Sequence, residues 1–416
     1  MGRTAAAALR ITLEQARAHW YRKQGLDAPL KGSLENVVAA TSWPRTLGGV
    51  DAYLAVRARV PGLRRQDLDE AVAQSRLQVI PAVRGCMYLV PRGQVPLVLR
   101  FAEDQARKRS EKELEKVGVP LEEIAEVGDA VLKVLRKGPL MTDALRKALP
   151  EGVVRSLGEK GKKVGMSSTL PSALRHLEFE GKVERTLETG RVDSERYHWR
   201  LPAKNPFTGA KVPEDVAERN ARMAEIFLRQ AGPATVADFA AWSGLSQRDA
   251  RAAFGTLTTI PVFVPGYADE SFVLAQELEA LKEKAPAKLP MSMLSFEDNY
   301  LTFHGGPGVL TDPKHHKRQV KKWGTTKGGT LGDVTHLSAR TLFDGDRLVG
   351  FWEYDPSAES IVFNTFDPLP PKRKRAAQEL ADSLATFLKD DLGHARSFSL
   401  DTMEAVQERA DLVKKM

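Results

Sequence analysis

The fold of this chain is decided by residues 165–201, GMSSTLPSALRHLEFEGKVERTLETGRVDSERYHWRL. Apolar residues recur in its first half at helical spacing, at Leu170, Ala173, Leu174 and Leu177. This period predicts a helix. A hydroxyl residue at 167–169 can cap that helix, Pro171 suits its first turn, and Gly181 ends it.

Two strand-like runs follow the helix, at residues 182–187 and 195–201, and residues 188–194 join them. Gly190 supplies the turn between the two runs. A helix followed by a two-stranded ribbon is the winged version of helix-turn-helix. In such a module the helix fits the major groove of DNA, and the ribbon lies along the backbone or the minor groove.

Basic residues cluster on these elements and in a glycine-containing loop just upstream of them. We expect DNA contacts from Lys162, Lys163, Arg175, His176, Lys182, Arg185 and Arg191. Phosphates attract such cations, and each contact releases condensed counterions. A solvated charged surface and a protein-docking module are alternatives. DNA contact is favoured because the cations lie on the elements that face a duplex.

Composition narrows the class of protein. At roughly 150 residues per domain, the 416 residues indicate several domains, and 42% apolar content allows each to bury a core. A net charge of +8 and a pI near 9.4 favour an anionic partner such as nucleic acid. The lone cysteine, Cys86, excludes an internal disulfide framework and a cysteine-rich zinc site.

No apolar run approaches the length of a membrane span, so no membrane partner is expected. The run at residues 4–9 is too short for a signal-peptide core. With a single cysteine, this predicts a cytoplasmic protein. Nucleotide-binding loops, dinucleotide fingerprints and zincin motifs are missing from the sequence, so no cofactor is expected.

The pattern of helices followed by a ribbon occurs three times along the chain. Residues 1–112, 113–205 and 206–284 are therefore predicted to be three winged-helix units. In residues 285–416 strand-like runs dominate, at 293–295, 300–303, 339–343, 347–354 and 361–366, and a helix follows at 375–389. The predicted fold class is α+β, with tandem winged helix-turn-helix units and a small antiparallel β-rich C-terminal domain.

The adjacent His315 and His316 are the obvious candidates for metal ligands. Their neighbours are cationic, in the run PKHHKRQVKKW, and no acidic or cysteine partner is suitably spaced. We therefore expect no metal. A phosphate-contacting basic loop and a mobile surface loop are the alternatives for this run. Asp298 and Asp367 are interpreted as turn residues near strand ends.

Several blocks resemble one family. They are residues 48–54, 58–62 and 67–72, Arg-Gly-Cys-Met-Tyr-Leu-Val-Pro at 84–91, Met-Leu-Ser-Phe-Glu-Asp-Asn-Tyr-Leu at 293–301, and Asp-Gly-Asp-Arg-Leu-Val-Gly at 344–350 with Trp352. In order and spacing they are similar to the winged-helix DNA-binding family that includes the AlkZ-type and YcaQ-type DNA glycosylases. The resemblance implies double-stranded DNA as the partner and a role in DNA repair.

The family's glycosylases place a Gln-x-Gln motif before the helix that here begins near Gly49, and its amides are thought to hold the attacking water. Aligned without gaps, those glutamines fall on Arg45 and Leu47, and the family's histidine in the Arg-Gly run is Tyr88. Neither replacement offers an amide. No glutamine lies between Gln24 and Gln66, so shifting the alignment does not restore the motif.

The sequence therefore predicts a double-stranded DNA-binding repair protein that lacks the Gln-x-Gln motif, with Arg45 among its DNA contacts. One alternative is an active glycosylase with a non-standard site. There Arg45 stabilises the departing base or phosphate, and Asp51 or another carboxylate activates water. The other alternative is a transcription regulator whose C-terminal domain senses a ligand or dimerises. The sequence leaves open whether the protein is an enzyme.

Overall fold

The computed structural model describes residues 9–41, 43–187, 189–194, 196–325 and 327–416. It is a mixed α+β structure with several small antiparallel sheets, so the predicted α+β class is confirmed. Most of the run at 4–9 lies outside the described residues. So do Glu188 and Glu195 of the predicted ribbon.

The described residues between 9 and 116 form helices, then a hairpin and a further helix. The elements are β1 (Leu9–Arg10), α1 (Leu13–Lys23), α2 (Leu34–Thr41), α3 (Asp51–Arg57), α4 (Arg65–Ala73), β2 (Leu77–Pro81), β3 (Met87–Pro91) and α5 (Val95–Lys116). Helix α1 begins at Thr12, whose hydroxyl accepts a hydrogen bond from the Gln15 N–H at 3.1 Å. Strands β2 and β3 pair antiparallel, with Val79 opposite Leu89.

Residues 165–201, which were quoted first, lie in the next unit. Its elements are α6 (Leu121–Leu135), β4 (Leu140–Met141), α7 (Thr142–Ala148), α8 (Gly158–Lys163), α9 (Leu170–Phe179), β5 (Glu184–Leu187) and β6 (Tyr197–Arg200). The predicted helix and both strands form, and the sheet order is β4-β6-β5. The loop expected around Lys162 is wrong, since helix α8 occupies it. Gly161 permits that helix, because a Cβ there would lie 2.1 Å from the Met166 carbonyl oxygen.

The third group of elements shares its sheet with the N-terminal strand. It contains α10 (Val216–Ala231), α11 (Val236–Ser243), α12 (Gln247–Gly255), β7 (Thr259–Val264), β8 (Ala268–Leu274) and α13 (Leu278–Lys282). Strands β7 and β8 form an antiparallel pair, and β1 adds to β7 in parallel with Leu9 opposite Val262. The start of the chain is thereby packed against residues more than halfway along it.

The C-terminal region is built on a four-stranded antiparallel sheet. Its elements are β9 (Met291–Leu294), α14 (Asn299–Thr302), β10 (Gln319–Lys321), β11 (Gly328–Thr330), β12 (Arg340–Asp344), β13 (Arg347–Asp355), β14 (Ser360–Thr365), α15 (Pro371–Thr386) and α16 (Met403–Lys414). The sheet order is β14-β13-β12-β9. The strand expected at 300–303 is wrong, because the Asp298 side chain accepts from the Tyr300 N–H and starts helix α14.

A buried arginine joins the sheet to the first unit. The Arg340 side chain is 1% exposed and donates from Nε to Asp51 at 3.1 Å and from Nη1 to Glu353 at 2.5 Å. It also donates to the Ala395 carbonyl oxygen at 2.9 Å and to the Ser397 hydroxyl at 3.0 Å. Burial alone would lower the pKa of Arg340, but the two carboxylates outweigh burial and raise it. The guanidinium therefore stays charged.

Replacing Arg340 tests how much the fold depends on this group. Arg340→Met keeps the apolar stem but leaves Asp51 and Glu353 buried without their shared cation. We expect a loss of about 3–5 kcal/mol of stability, the usual cost of breaking a buried ion pair. A lower melting temperature in a fluorescence-monitored thermal melt would record it. Lys162→Met, which breaks an exposed pair with Glu159, is the control and should melt like the wild type.

Candidate active site

Residues 44–47 form a short extended segment beside β3. The Thr46 N–H donates to the Met87 carbonyl oxygen at 3.0 Å, and the Leu89 N–H donates to the Pro44 carbonyl oxygen at 3.0 Å. Side chains of extended backbone alternate between two faces. Arg45 and Leu47, where the sequence analysis placed the family's glutamines, line one pocket together with Pro44, and Thr46 lines another.

The pocket on the Arg45 side lies between the first unit and the segment that follows β9. Its lining includes Arg45, Leu47, Asp51, Arg59, Glu297 and Asp298. Its volume is about 20 Å³. That is room for roughly one water molecule. We call this cavity the water pocket.

Glu297 is the carboxylate with a free oxygen in the water pocket. Its side chain is 3% exposed, and its Oε2 lies 2.8 Å from His336 Nδ1 and 3.4 Å from Arg45 Nη1. Its Oε1 and the Arg45 Nε are both buried, and neither has a hydrogen-bond partner within the described ranges. Glu297 also has φ of +55°, a costly backbone conformation for a glutamate.

The two aspartates of the water pocket are fully engaged. Asp298 accepts from both terminal nitrogens of Arg59 at 2.8 Å, and its side chain is 1% exposed. Asp51 accepts from Arg340 and from the Phe296 N–H at 2.9 Å. Both carboxylates already accept hydrogen bonds that hold the fold together. Asp51 is therefore poorly placed to activate a water. The interpretation of Asp298 as a simple turn residue missed its ion pair with Arg59.

Several of the cations expected to contact DNA form ion pairs with acidic side chains of the protein itself. Arg185 binds Glu178 through Nε at 2.7 Å and lies 4.5 Å from the Trp199 ring centre. Arg191 donates to Asp193 and to the Leu392 carbonyl oxygen at 2.7 Å. Arg175 lies 3.9 Å from Glu178. These guanidinium groups stabilise the unit that carries them, whatever else they contact.

The other expected DNA contacts are more accessible. Lys162 pairs with Glu159 at 2.6 Å, Lys182 pairs with Glu180 at 2.8 Å, and both lysines are exposed. Lys163 is exposed as well, and His176 is half-buried. Arg45 is 21% exposed, at the edge of the water pocket. DNA contact by all eight residues stays a prediction.

A basic hairpin formed by β10 and β11 stands next to the water pocket. Four exposed lysines, Lys317, Lys321, Lys322 and Lys327, make no ion pair within the part of the chain that the structure describes. At its base, the Trp323 N–H donates to the His336 carbonyl oxygen at 3.1 Å, and the Trp323 ring lies 4.5 Å from Phe296. Sequence reasoning noted the cations but could not place them beside Glu297.

The two histidines of the basic run have partners in the fold. His315 Nε2 lies 2.9 Å from Asp367, and His316 Nε2 lies 3.0 Å from the Gly308 carbonyl oxygen. Among the described residues, no group of three or more histidine, cysteine or acidic side chains is arranged to hold a metal ion. Nor does any described helix have the length and apolar character needed to cross a membrane.

The chain matches a protein family and a solved structure. Residues 45–388 match the family described as DNA glycosylase AlkZ-like. The solved structure of the DNA glycosylase AlkZ from Streptomyces sahachiroi superposes with a TM-score of 0.70 at 20% sequence identity. The superposition covers 93% of this chain and 98% of that one, which shows a shared fold. A search of curated proteins found no match.

Arg191→Ala should destabilise the protein, because it leaves the buried Asp193 without its arginine partner and with only the contact to His394 at 3.0 Å. Burial alone would raise the pKa of Asp193, but hydrogen bonds from Arg191 and His394 lower it well below its usual value. We expect the melting temperature at neutral pH to fall by about 2–4 °C, the shift that roughly 1 kcal/mol produces in a medium-sized domain.

The effect of Arg191→Ala should depend on pH with a definite sign. A depressed carboxylate pKa contributes stability above the unfolded-state value of about 4, and this contribution is lost as the pH falls. The gap in melting temperature between variant and wild type should therefore narrow on acidification below about pH 4. Lys163→Ala is the control on an exposed side chain and should leave the melting temperature unchanged. A gap that widens in acid would contradict this account of Asp193.

Proposed function

Since the chain belongs to the AlkZ-like DNA glycosylase family, we propose that it binds double-stranded DNA and acts in DNA repair by hydrolysing the N-glycosidic bond of a damaged base. The main observation that supports this proposal is the buried Glu297 carboxylate, whose Oε1 has no hydrogen-bond partner among the described residues. It lines the same pocket as Arg45 and Leu47, where the family's two glutamines align. The Gln-x-Gln motif is replaced by Arg45-Thr46-Leu47.

Glu297 has the chemistry to replace an amide as the holder of the water. Its Oε1 accepts a hydrogen bond from a water molecule in the water pocket, while Arg45 and His336 fix Oε2. As the water oxygen bonds to the sugar carbon, Glu297 takes a water proton, and the carbon–nitrogen electron pair leaves with the base. The buried Nε of Arg45 offers a second contact to the water or to the departing base.

The DNA-binding part of the proposal rests on charge and on repeated local structure. Three times, helices are followed by an antiparallel strand pair, β2–β3, β5–β6 and β7–β8. We assign these to three winged-helix units at 1–112, 113–205 and 206–284, followed by the domain at 285–416. The hairpin lysines add phosphate contacts beside the water pocket. Lys162, Lys163, His176 and Lys182 supply others.

A duplex-binding module without catalysis is the second candidate function. Two observations favour it. Leu47 cannot orient a water, and the Arg45 guanidinium lies 3.4 Å from the Glu297 carboxylate that would serve as base. Such a module would bind damaged or distorted duplexes and leave the glycosidic bond intact. A regulator, the remaining alternative, would instead show strong preference for one DNA sequence.

The variant Glu297→Gln, compared with the wild type, distinguishes the glycosylase proposal from the binding-module proposal. The purified protein is incubated with a duplex that carries alkylated purines, and alkali-labile abasic sites are counted. We expect cleavage by the wild type and a rate at least about 100-fold lower in Glu297→Gln, since the amide cannot accept the proton. Duplex affinity should be unchanged.

Glu126→Gln makes the same chemical change on an exposed surface of α6 and should cleave like the wild type. If the wild type binds the alkylated duplex and leaves it uncleaved, the binding-module function is correct. If Glu297→Gln cleaves at the wild-type rate, the carboxylate is not the base and the catalytic proposal fails.

Charge reversal on the basic hairpin tests the DNA contact. Lys321→Glu with Lys322→Glu should weaken binding to an undamaged duplex at least about tenfold, because two phosphate contacts are lost. The slope of log affinity against log salt should also fall by about two, one for each lost contact. Fluorescence anisotropy titrations over a range of salt concentrations measure both quantities.

Lys284→Glu with Lys288→Glu is the matched control for the hairpin variant. It makes the same change in net charge on the exposed linker before β9, at the far end of that strand from Glu297. It should leave the salt slope unchanged. Equal losses in the two double variants would show a general effect of net charge and would remove the hairpin from the interface. Lys163→Glu with Lys182→Glu tests the second unit in the same assay.

A further inference from the structure

A groove runs along the unpaired side of β9, the edge strand of the C-terminal sheet. We call it the edge groove. Its volume is about 320 Å³, within the roughly 300–1,000 Å³ of ordinary ligand sites. One wall is α15, and the other is the loop after α1 together with the end of α3. The lining consists of residues 25–29, 57–58, 61–62 and 290–293 with three residues of α15.

The edge groove is open at its rim and apolar at its base. Ala28, Pro29 and Pro61 on the rim are exposed. Met291 and Met293 at the base are 7% and 4% exposed, as expected for a strand that forms the bottom of a groove. Methionine side chains adapt to apolar partners of different shapes. The groove therefore suits an apolar ligand that enters from the rim.

The backbone of β9 has unused hydrogen-bonding groups on the side of the edge groove. The Gly345 N–H donates to the Pro290 carbonyl oxygen at 3.1 Å, in the register that pairs β9 with β12. Bonded positions alternate along an antiparallel pair, so Ser292 also points its backbone groups toward β12. Met291 and Met293 point theirs the other way, and these groups have no hydrogen-bond partner among the described residues.

Arg57 is a charged side chain of the edge groove that lacks an opposite charge. Its half-buried guanidinium donates to the Leu63 carbonyl oxygen at 2.5 Å and to the Ser383 hydroxyl at 3.1 Å. It makes no ion pair with any described residue. Asp27, which also lines the groove, is paired with Arg22 at 3.6 Å. The groove thus offers one unneutralised cation to a ligand.

We propose that the edge groove binds an extended segment of a partner protein, which adds a strand to β9 and places an acidic side chain on Arg57. An extended backbone presents donors and acceptors at the spacing that Met291 and Met293 require. Apolar side chains of the segment cover the base of the groove, and the carboxylate gives Arg57 the partner it lacks. This surface uses neither Glu297 nor the hairpin lysines, so it is independent of the proposed function.

The walls of the edge groove favour a single strand over a second copy of this chain. Open sheet edges attract other strands, and proteins usually pair, cover or block them. Here the walls prevent a broad sheet from reaching β9 and leave room for one strand. The β9 strand of a second copy lies at the base of its own groove, so two such edges cannot meet. A free segment of another protein fits this access.

A random heptapeptide library displayed on phage tests the proposal. The library is panned on the full-length wild-type protein, and the most enriched peptide is synthesised with a fluorescent label for anisotropy titrations. We expect enriched peptides to share an acidic residue among alternating apolar residues. Replacing that acidic residue by its amide should weaken binding about tenfold. Methylating alternate backbone nitrogens should weaken binding at least about fivefold in the register that faces β9 and little in the other.

Two variants locate the peptide on the protein. Ala28→Trp fills the groove from its exposed rim and should weaken binding at least tenfold, whereas Ala252→Trp on an exposed face of α12 is the control and should bind like the wild type. Arg57→Met should weaken binding about tenfold. Adding the amide change in the peptide should then cost nothing further, because both changes remove one contact. A purely structural role for Arg57 would make the two losses add.

Four results would overturn the proposal. They are a selection that enriches no peptide above the bare support, unchanged binding by Ala28→Trp, and loss of binding in Lys321→Glu with Lys322→Glu, which would place the peptide on the basic hairpin. A wild-type dimer in sedimentation that Ala28→Trp breaks would give the groove to a second copy instead. Cleavage of the alkylated duplex is measured separately, so failure of this inference and failure of the proposed function are distinguishable.

Discussion

The buried Arg340 guanidinium is the interaction on which the arrangement of the site depends. It joins α3 through Asp51, the sheet through Glu353, and the segment after α15 through Ala395 and Ser397. Arg409 of α16 closes the network by binding Glu353 at 2.8 Å. One cation between buried carboxylates is stable only when every partner keeps its position. The network therefore fixes the first unit against the C-terminal sheet.

This fixed docking also shapes the 44–47 segment. The Val50 N–H donates to the Arg396 carbonyl oxygen at 2.8 Å, and the Ser399 N–H donates to the Leu47 carbonyl oxygen at 2.9 Å. A Cβ at Gly49 would lie 2.3 Å from the Ser397 carbonyl carbon, so only glycine fits. The segment between α15 and α16 thus contacts the backbone next to Arg45 directly. The segment that lines the water pocket is therefore held by residues about 350 positions away in sequence.

The sequence predicted local structure well, because local structure follows local rules. The period of apolar residues gave helix α9, and alternating runs with turn residues between them gave the strands of the wing and most of the C-terminal sheet. The strand expected at 300–303 failed because the Asp298 cap outweighed strand propensity. Helix α16 was not predicted: its apolar stripe is short, with Val406, Ala410 and Val413 buried, and ion pairs from Arg409 and Lys414 add to that packing.

The candidate site was harder to predict because the residues that form it are far apart in the sequence. Glu297 and Arg45 are separated by 252 residues, and Glu297 lies in the block at 293–301 with no role predicted for it. No spacing rule brings such residues together. Its positive φ, its buried oxygen and its contact with His336 exist only once β9 and the β10–β11 hairpin have packed. The sequence predicted that the glutamines are missing, but only the fold brings Glu297 into the same pocket as Arg45 and Leu47.

In the proposed site, Arg45 and Glu297 do the work of the family's two amides, and this changes how the site handles charge. An amide pair is neutral and orients water by hydrogen bonds alone. The Arg45–Glu297 pair is also neutral overall, but it separates the charges across 3.4 Å. As the glycosidic bond breaks, positive charge develops on the sugar and negative charge on the base. A carboxylate favours the first and a guanidinium the second. In the proposed reaction, Arg45 can stabilise the departing base only if it moves away from Glu297, its partner at 3.4 Å in the free protein.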